Sequence, residues 1–286
     1  MGKGYFHVSS HGLERNDIFK NREDFVQGMN DIAIIVLGFD VVILAFCLMS
    51  NHFHFILKGH RKECMAFVNE YKRMLSFRIY NNRRETGILR NVEIHIDELT
   101  DMEYLMNAIA YVLRNPVAAR VNMMPYYYRW SSIGTYFRGA LSDPGDKLND
   151  LSLRKRIAIV KSRRDIPDGY RTDMYGMILP SCFVNSSEVE SIYRYPSVFL
   201  AFLAKKVETE FEVRTGIAEM ITYNDVELTA MINRLVNAEF GVKDTSQLSS
   251  EDRMRLCRLV RRNFGASVKQ IARILRVPHE VVLSIV

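Results

Sequence analysis

Residues 49–57 have the sequence MSNHFHFIL, which places His52 and His54 two positions apart in a run of apolar residues. Side chains two apart on a β-strand point to the same face of a sheet, so both imidazoles would project together. The alternating residues would hold the opposite face to a core: Phe53, Phe55 and Leu57. Two imidazoles on a rigid strand form part of a divalent-metal site, and a third ligand must come from elsewhere in the chain. A packed histidine pair without a metal is the alternative.

The composition is that of a globular protein large enough for more than one domain. The chain has 286 residues, of which 48% are hydrophobic and 25% are charged. The four cysteines are scattered, at positions 47, 64, 182 and 257. Because no CxxC pair is present and the start has no apolar leader, we expect reduced thiols in a cytoplasmic protein.

Residues 32–49 are almost wholly apolar and are the one candidate for a membrane span. Gly38, Phe39 and Asp40 interrupt the run, and no basic cluster brackets it. The β-branched half after Asp40 leads directly into the histidines. We therefore predict the end of a helix, a turn and a buried strand, with the membrane span as the alternative.

The order of the strands and helices that apolar spacing predicts along the chain indicates an α+β fold, with an antiparallel sheet and helices on one face. In chain order, we predict a strand at 5–10, a helix capped by Asn21, one or two strands within 41–57, a helix at 63–81, a strand at 88–96, and a helix at 101–114 capped by Thr100. Loop residues at 139–147 predict a boundary. The expected domains are a catalytic domain at 1–140, a mostly helical accessory region at 141–245, and a trihelical domain at 246–286.

The last 41 residues predict an all-α, basic end to the chain. Helices are expected at 250–264, 267–275 and 279–286, and the segment from 246 holds eight Lys or Arg against three acidic residues. The spacing of apolar residues suits a helix-turn-helix, and the local positive charge suits DNA. An ordinary three-helix core with a solvated basic face is the alternative.

A second cluster of chemistry lies at the end of the helix predicted at 101–114. Tyr111 and Asn115 are four residues apart, hence on one helical face. Pro116 disfavours helical geometry at Asn115, so we expect the helix to end or kink there and the amide to reach outward. Two imidazoles and an amide oxygen make an open site that suits Mg²⁺ or Mn²⁺, although two histidines also suit Zn²⁺. A metal there would polarise a phosphodiester, and Tyr111 would attack it to give a 5′-phosphotyrosine and a free 3′-hydroxyl.

Three ordered motifs resemble one family. MSNHFHFIL, YVLRNPVAARV at 111–121 and WSSIGTY at 130–136 are similar to the REP-associated branch of the single-tyrosine HUH transposases, where typical patterns are MPNHVHLL and YIxxNPVRAGLV. The resemblance covers about residues 5–138. It implies an RRM-like antiparallel sheet with flanking helices and cleavage of single-stranded DNA at hairpin-bearing repeats with Mg²⁺ or Mn²⁺. It also places the metal ligands at His52 and His54, the nucleophile at Tyr111 and a further polar ligand at Asn115.

The chain departs from that family's pattern at three positions. Ser50 replaces the usual proline, Ala118 stands where arginine is common, and Asn115 holds a position that other single-tyrosine transposases fill with glutamine. The side chain of Asn115 is one methylene shorter than that of the glutamine.

The resulting hypothesis is a metal-dependent tyrosine transposase acting on single-stranded or hairpin DNA in the bacterial cytoplasm, at the nucleoid. Duplex DNA bound by the C-terminal helices and a homodimer are further candidate partners, and no membrane is expected. The rival functions are a hairpin-binding regulator without cleavage and a metal phosphohydrolase that uses water. The expected DNA contacts are Lys72, Arg73, Arg78, Arg114, Arg120, Lys269, Gln270, Arg273 and Arg276. Other candidates are His7 and His11 as DNA contacts, and Tyr126–Tyr127–Tyr128, which either stack on bases or pack against Trp130.

Overall fold

The histidine-bearing stretch lies inside a four-stranded sheet. In a computed structural model, the strands are β1 (Gly4–His11), β2 (Val41–Leu48), β3 (Phe53–Gly59) and β4 (Glu93–Glu98). Their order is β2-β3-β1-β4, and every neighbouring pair is antiparallel. The structure describes residues 2–11, 17–90, 92–118, 124–139, 145–204, 225–264, 266 and 268–285.

The alternation of β3 divides its side chains between two faces, as predicted. Phe53 and Phe55 are fully buried against α2 (Arg61–Arg83), where the Tyr71 ring lies 5.2 and 5.5 Å from their ring centroids. His54 points to the other face, which α3 (Met102–Ala118) covers. The predicted α+β fold with an antiparallel sheet is therefore confirmed, but helices lie on both faces rather than one.

The apolar segment 32–49 contains a helix end, a turn and a strand, as predicted. Helix α1 (Arg22–Ile35) is capped by Asn21, whose Oδ1 accepts from the backbone N–H of Asp24 at 2.9 Å. A short 3₁₀ turn (Val36–Gly38) then leads into β2. Within the described ranges, none of the helices has the length and apolarity needed to cross a bilayer.

Two predicted boundaries of local structure are wrong. The helix that carries Tyr111 continues through Pro116 to Ala118 and does not end at Asn115, while the alternative of a kink stays a prediction. Proline lacks a backbone N–H and therefore removes one helical hydrogen bond. Only two helical residues follow Pro116, so the helix loses little by including it. At the start of the same helix, Asp101 rather than Thr100 supplies the cap, because its Oδ1 accepts from the N–H of Tyr104 at 2.7 Å.

Strand β4 also begins later than predicted, at Glu93 rather than residue 88. The residues before it form a turn in which the N–H of Arg90 donates to the carbonyl of Gly87 at 3.0 Å. Gly87 has a φ of +76°, a conformation that a β-branched or apolar strand residue rarely adopts. The turn therefore takes the first residues of the predicted strand.

The predicted boundary at residue 140 does not divide the structure. One compact unit comprises Met1–Ala118 and Asn122–Ile217, and the other Ala119–Val121 and Ala218–Val286. The first unit thus includes, beyond the sheet, β5 (Asp146–Lys147), α4 (Leu153–Val160), β6 (Arg171–Thr172), α5 (Ser186–Tyr193) and α6 (Pro196–Ala204). Since β5 pairs with β6, this part of the extension is not purely helical.

Buried polar contacts explain why the extension belongs to the first unit. Asn30 of α1 is fully buried, and its amide donates to the carbonyl of Gly176 at 2.9 Å and accepts from the N–H of Ile178 at 2.7 Å. The outer edge of β2 is likewise covered, since Val184 and Ser131 form backbone bridges to it. A covered edge and a satisfied buried amide both favour folding of residues 145–204 with the sheet.

The second unit consists of four described helices. They are α7 (Asp225–Phe240), α8 (Ser250–Phe264), α9 (Val268–Leu275) and α10 (His279–Ile285). The last three lie within a residue of their predicted bounds, and Arg276 turns the chain between α9 and α10 with a φ of 53°. Because α7 belongs to the same unit, that unit begins before residue 246. The helix-turn-helix stays a prediction.

Candidate functional site

The amide of Asn115 lies between the two histidines of the opening motif. Its Oδ1 is 3.2 Å from Nε2 of His52, and its Nδ2 is 3.1 Å from Nε2 of His54. His54 and Asn115 are buried, whereas His52 is half-buried where the chain enters β3. The three side chains that the motifs place in one site are therefore brought together by the fold.

Local structure accounts for this convergence. His54 lies on the face of β3 that α3 covers, and α3 packs across both β2 and β3. Because Asn115 remains helical, its side chain projects from the same face as Tyr111, one turn earlier. The amide thus reaches the histidines from within the helix and not from a frayed end.

The donor set fits a hard divalent ion. Neighbouring ligand atoms of an octahedral ion with bonds of about 2.1 Å are about 3 Å apart, close to the 3.2 Å between Oδ1 of Asn115 and Nε2 of His52. Nδ2 of Asn115, which lies 3.1 Å from Nε2 of His54, is a hydrogen-bond donor and not a ligand. Both ring nitrogens of His52 face amide oxygens, Nδ1 at 2.7 Å from Oδ1 of Asn51 and Nε2 at 3.2 Å from Oδ1 of Asn115. The shorter contact favours the proton of a neutral ring on Nδ1. Nε2 of His52 then presents a lone pair toward Asn115 Oδ1, an arrangement that a cation between them stabilises.

The amide oxygen of Asn115 is the candidate third protein ligand of such a site. Across the part of the chain that the structure describes, no group of three His, Cys, Asp or Glu is arranged to hold a metal ion. The His52, His54 and Asn115 donors would leave the remaining coordination positions open for water and phosphate oxygens, as Mg²⁺ and Mn²⁺ prefer.

Tyr111 packs against the buried histidine of the pair. Its ring centroid lies 5.7 Å from that of His54, and the two planes are nearly perpendicular at 86°. Only 3% of Tyr111 is exposed. The candidate nucleophile and the candidate ligands therefore share one small site.

His7 belongs to this site, although its sequence context predicted at most a DNA contact. It is 1% exposed, and its Nε2 lies 3.1 Å from Nδ1 of His54. On the predicted first strand, His7 alternates with Phe6 and Val8, so its position opposite the core face could be read from the sequence. The pairing of β1 beside β3, which brings His7 to His54, could not.

Two of the predicted DNA contacts, Arg78 and Arg114, have partners within the fold. Arg78 forms a two-point ion pair with Asp31 behind the sheet, and only 16% of its side chain is exposed. Arg114 is buried and donates to the carbonyl of Leu203 at 2.9 Å. Both guanidinium groups are therefore engaged by acceptors within the protein, and their contact with DNA stays a prediction.

The other predicted DNA contacts are mostly at the surface. Arg73 is exposed and pairs with Glu70 one turn away, while half-buried Lys72 donates to the carbonyl of Val92. Arg273 and Arg276 are exposed in the second unit, where Gln270 is half-buried. Arg120 and the side chain of Lys269 lie outside the described residues. Of the three tyrosines, Tyr126 and Tyr127 are exposed, Tyr128 is buried, and Trp130 stacks on Phe25.

Replacing Arg78 by alanine should destabilise the fold. Burial raises the pKa of Asp31 to about 6 against the opposing effect of Arg78, so the carboxylate is still ionised at neutral pH. Losing its partner should lower the free energy of unfolding by about 3 kcal/mol, measured in urea. The surface control Arg73→Ala should change it by less than about 0.5 kcal/mol. Equal stability of the two variants would show that the Asp31 pair is not structural.

In comparisons with known proteins, one solved structure matches this chain. It is a REP-associated tyrosine transposase bound to a REP hairpin, 12% identical, with a TM-score of 0.39, and the match covers 60% of this chain and 91% of that one. No protein-family model and no curated protein matches the chain. Since a similarity of this size does not establish a shared function, function follows from the side chains of the site.

Proposed function

We propose that this protein is a metal-dependent DNA strand transferase that cleaves single-stranded DNA beside a hairpin through a 5′-phosphotyrosine. The observation that carries the proposal is the meeting of Tyr111, His52, His54 and Asn115 within one site. A pure DNA-binding protein needs neither a paired-histidine site nor a tyrosine beside it. The hairpin substrate comes from the motif resemblance and is part of the proposal.

The chain's own residues divide the work of this reaction. His52, His54 and Asn115 would hold Mg²⁺ or Mn²⁺, which when bound supplies positive charge to a phosphodiester in the open positions. Helix α3 places Tyr111 one turn from Asn115, so the phenol and the ligand amide lie on the same face of the helix. The near-complete burial of Tyr111 limits access of water, which disfavours hydrolysis.

The bonds balance without an energy source. The phenol oxygen of Tyr111 forms a bond to phosphorus as the bond to the 3′-oxygen breaks, and the proton lost by the phenol is matched by one gained by that oxygen. Attack by a 3′-hydroxyl reverses these steps and joins strands. Because the phosphotyrosine conserves the phosphodiester bond energy, joining needs no ATP.

The second unit supplies a candidate duplex contact. Its exposed basic residues on α8, on α9 and directly after α9 are Arg255, Arg258, Arg261, Arg262, Arg273 and Arg276. Arginines in such number on adjacent elements suit a phosphate backbone. We propose that this unit adds sequence-independent affinity for DNA. A homodimer and nucleoid association remain predictions.

A covalent-adduct assay tests the proposed function. The full chain is incubated with Mn²⁺ and a hairpin DNA carrying a single-stranded flank labelled on either side of the scissile bond. Transfer of only the 3′-side fragment, through its 5′-phosphate, to protein is the expected result. Cleavage without an adduct would favour a hydrolase, and tight hairpin binding without cleavage a regulator. Either outcome contradicts the proposal.

Truncation should separate the two units. A chain ending at Ile217 keeps the whole first unit and should retain adduct formation, while losing affinity for duplex DNA and part of its salt dependence. A chain ending at Gly139 lacks the partners of Asn30 and should fail to fold. Circular dichroism and filter binding at two salt concentrations measure both effects. A folded, active chain ending at Gly139 would restore the predicted boundary at residue 140.

A further inference from the structure

His7 and His54 are joined edge to edge in one plane. Their ring planes differ by 11°, and the centroid separation of 5.4 Å exceeds the 3.1 Å between Nε2 of His7 and Nδ1 of His54 by about one ring diameter. The two nitrogens therefore point at each other, which is the geometry of an N–H···N hydrogen bond and not of ring stacking.

The remaining nitrogen of His54 indicates which ring donates. Nε2 of His54 faces Nδ2 of Asn115 at 3.1 Å, an amide nitrogen that can only donate. Nε2 of His54 is thus an acceptor, and the single proton of the neutral ring lies on Nδ1. It follows that His54 donates to His7, whose Nε2 accepts.

We infer that His7 is the positioning residue that holds His54 in its Nδ1–H tautomer, so that Nε2 offers its lone pair to a divalent cation. This inference deepens the proposed function and rests on it for the identity of the cation. Ligating histidines commonly donate their other ring N–H to a protein acceptor, which fixes both the tautomer and the ring orientation. In this protein the acceptor is a second imidazole.

The fold holds His7 rigidly enough for this role. It lies in the central strand β1, between Ile56 of β3 and Asp97 of β4, and is 1% exposed. Its ring also meets that of Tyr111 at a centroid distance of 6.0 Å and an angle of 89°. One side chain therefore contacts both a ligand and the candidate nucleophile.

The two ligand histidines are supported in parallel ways. Nδ1 of His52 is 2.7 Å from Oδ1 of Asn51, and Nδ1 of His54 is 3.1 Å from Nε2 of His7. In both rings the Nδ1 atom is engaged by the chain, and the Nε2 atom faces Asn115. The support of His52 is a neighbour in sequence, whereas that of His54 comes from another strand.

The NMR chemical shifts of the histidine ring nitrogens test the inference in the metal-free full chain. With ¹⁵N-labelled histidine, His54 in the wild type should show a protonated Nδ1 and an unprotonated Nε2. His7→Gln keeps an acceptor and should preserve this pattern, whereas His7→Phe keeps a planar ring without an acceptor and should raise the Nε2–H population. An Nε2–H tautomer in the wild type would overturn the inference without any variant.

Calorimetric titration with Mn²⁺ gives a second readout. Affinity should fall about 10- to 100-fold in His7→Phe and stay within about threefold of wild type in His7→Gln. Unchanged affinity in a folded His7→Phe protein would overturn the inference. If the tautomer and the Mn²⁺ affinity behave as expected but Tyr111 forms no DNA adduct, the proposed strand transfer fails and the positioning role stands.

Discussion

Tyr111→Phe should form no covalent adduct with hairpin DNA, and its cleavage rate should fall by at least about 10³-fold. The substitution removes only the hydroxyl, which is the proposed nucleophile. The phenyl ring keeps the packing against His54 and His7, so the site itself should persist. Hairpin affinity and Mn²⁺ affinity should therefore remain near wild type. Denaturing gels of labelled DNA, with binding measured in parallel, give both quantities.

Another buried tyrosine that contacts the same helix provides a matched control. Tyr193 is buried, and its hydroxyl donates to the carbonyl of Met106 in α3 at 2.6 Å. Tyr193→Phe should cost about 1 kcal/mol of stability and leave the adduct intact. An adduct that survives in Tyr111→Phe, or one lost equally in both variants, would remove Tyr111 from the role of nucleophile.

His52→Ala should abolish both metal binding and cleavage while the protein stays folded. Mn²⁺ affinity should drop by at least about 100-fold, because one of three protein ligands is lost. His52 is half-buried and precedes the first residue of β3, so its removal opens little of the core. The cleavage rate should fall with the metal affinity and recover in part at high Mn²⁺. Titration calorimetry and cleavage assays across a Mn²⁺ series measure the two effects together.

His95 provides the control for this substitution. It projects from β4, its side chain is 42% exposed, and it lies 3.7 Å from Glu93. His95→Ala should leave Mn²⁺ affinity and adduct formation unchanged. If His52→Ala binds Mn²⁺ as the wild type does, the two histidines are a packed pair and the metal site is elsewhere or absent.

Local features of the fold were predictable because their causes lie within a few residues. Asn21 caps α1 through a contact three residues along the chain, and apolar spacing sets helix α8 at Ser250–Phe264. Two other local predictions, a helix end at Asn115 before Pro116 and a cap at Thr100, were wrong. At both positions two local preferences compete. The structure continues the helix through Pro116 and caps it with the carboxylate of Asp101.

The motifs in the sequence determined which residues form the site: two histidines on the same face of a strand, and a tyrosine and an asparagine one helical turn apart. Only the tertiary structure decided that Asn115 bridges those histidines and that His7 supports one of them. It likewise turned Arg78 inward to Asp31 and tied residues 145–204 to the sheet through Asn30. The alternation of a strand and the spacing of a helix are properties of neighbouring residues. Strand pairing and buried partners join residues tens of positions apart, and the local pattern carries no information about them.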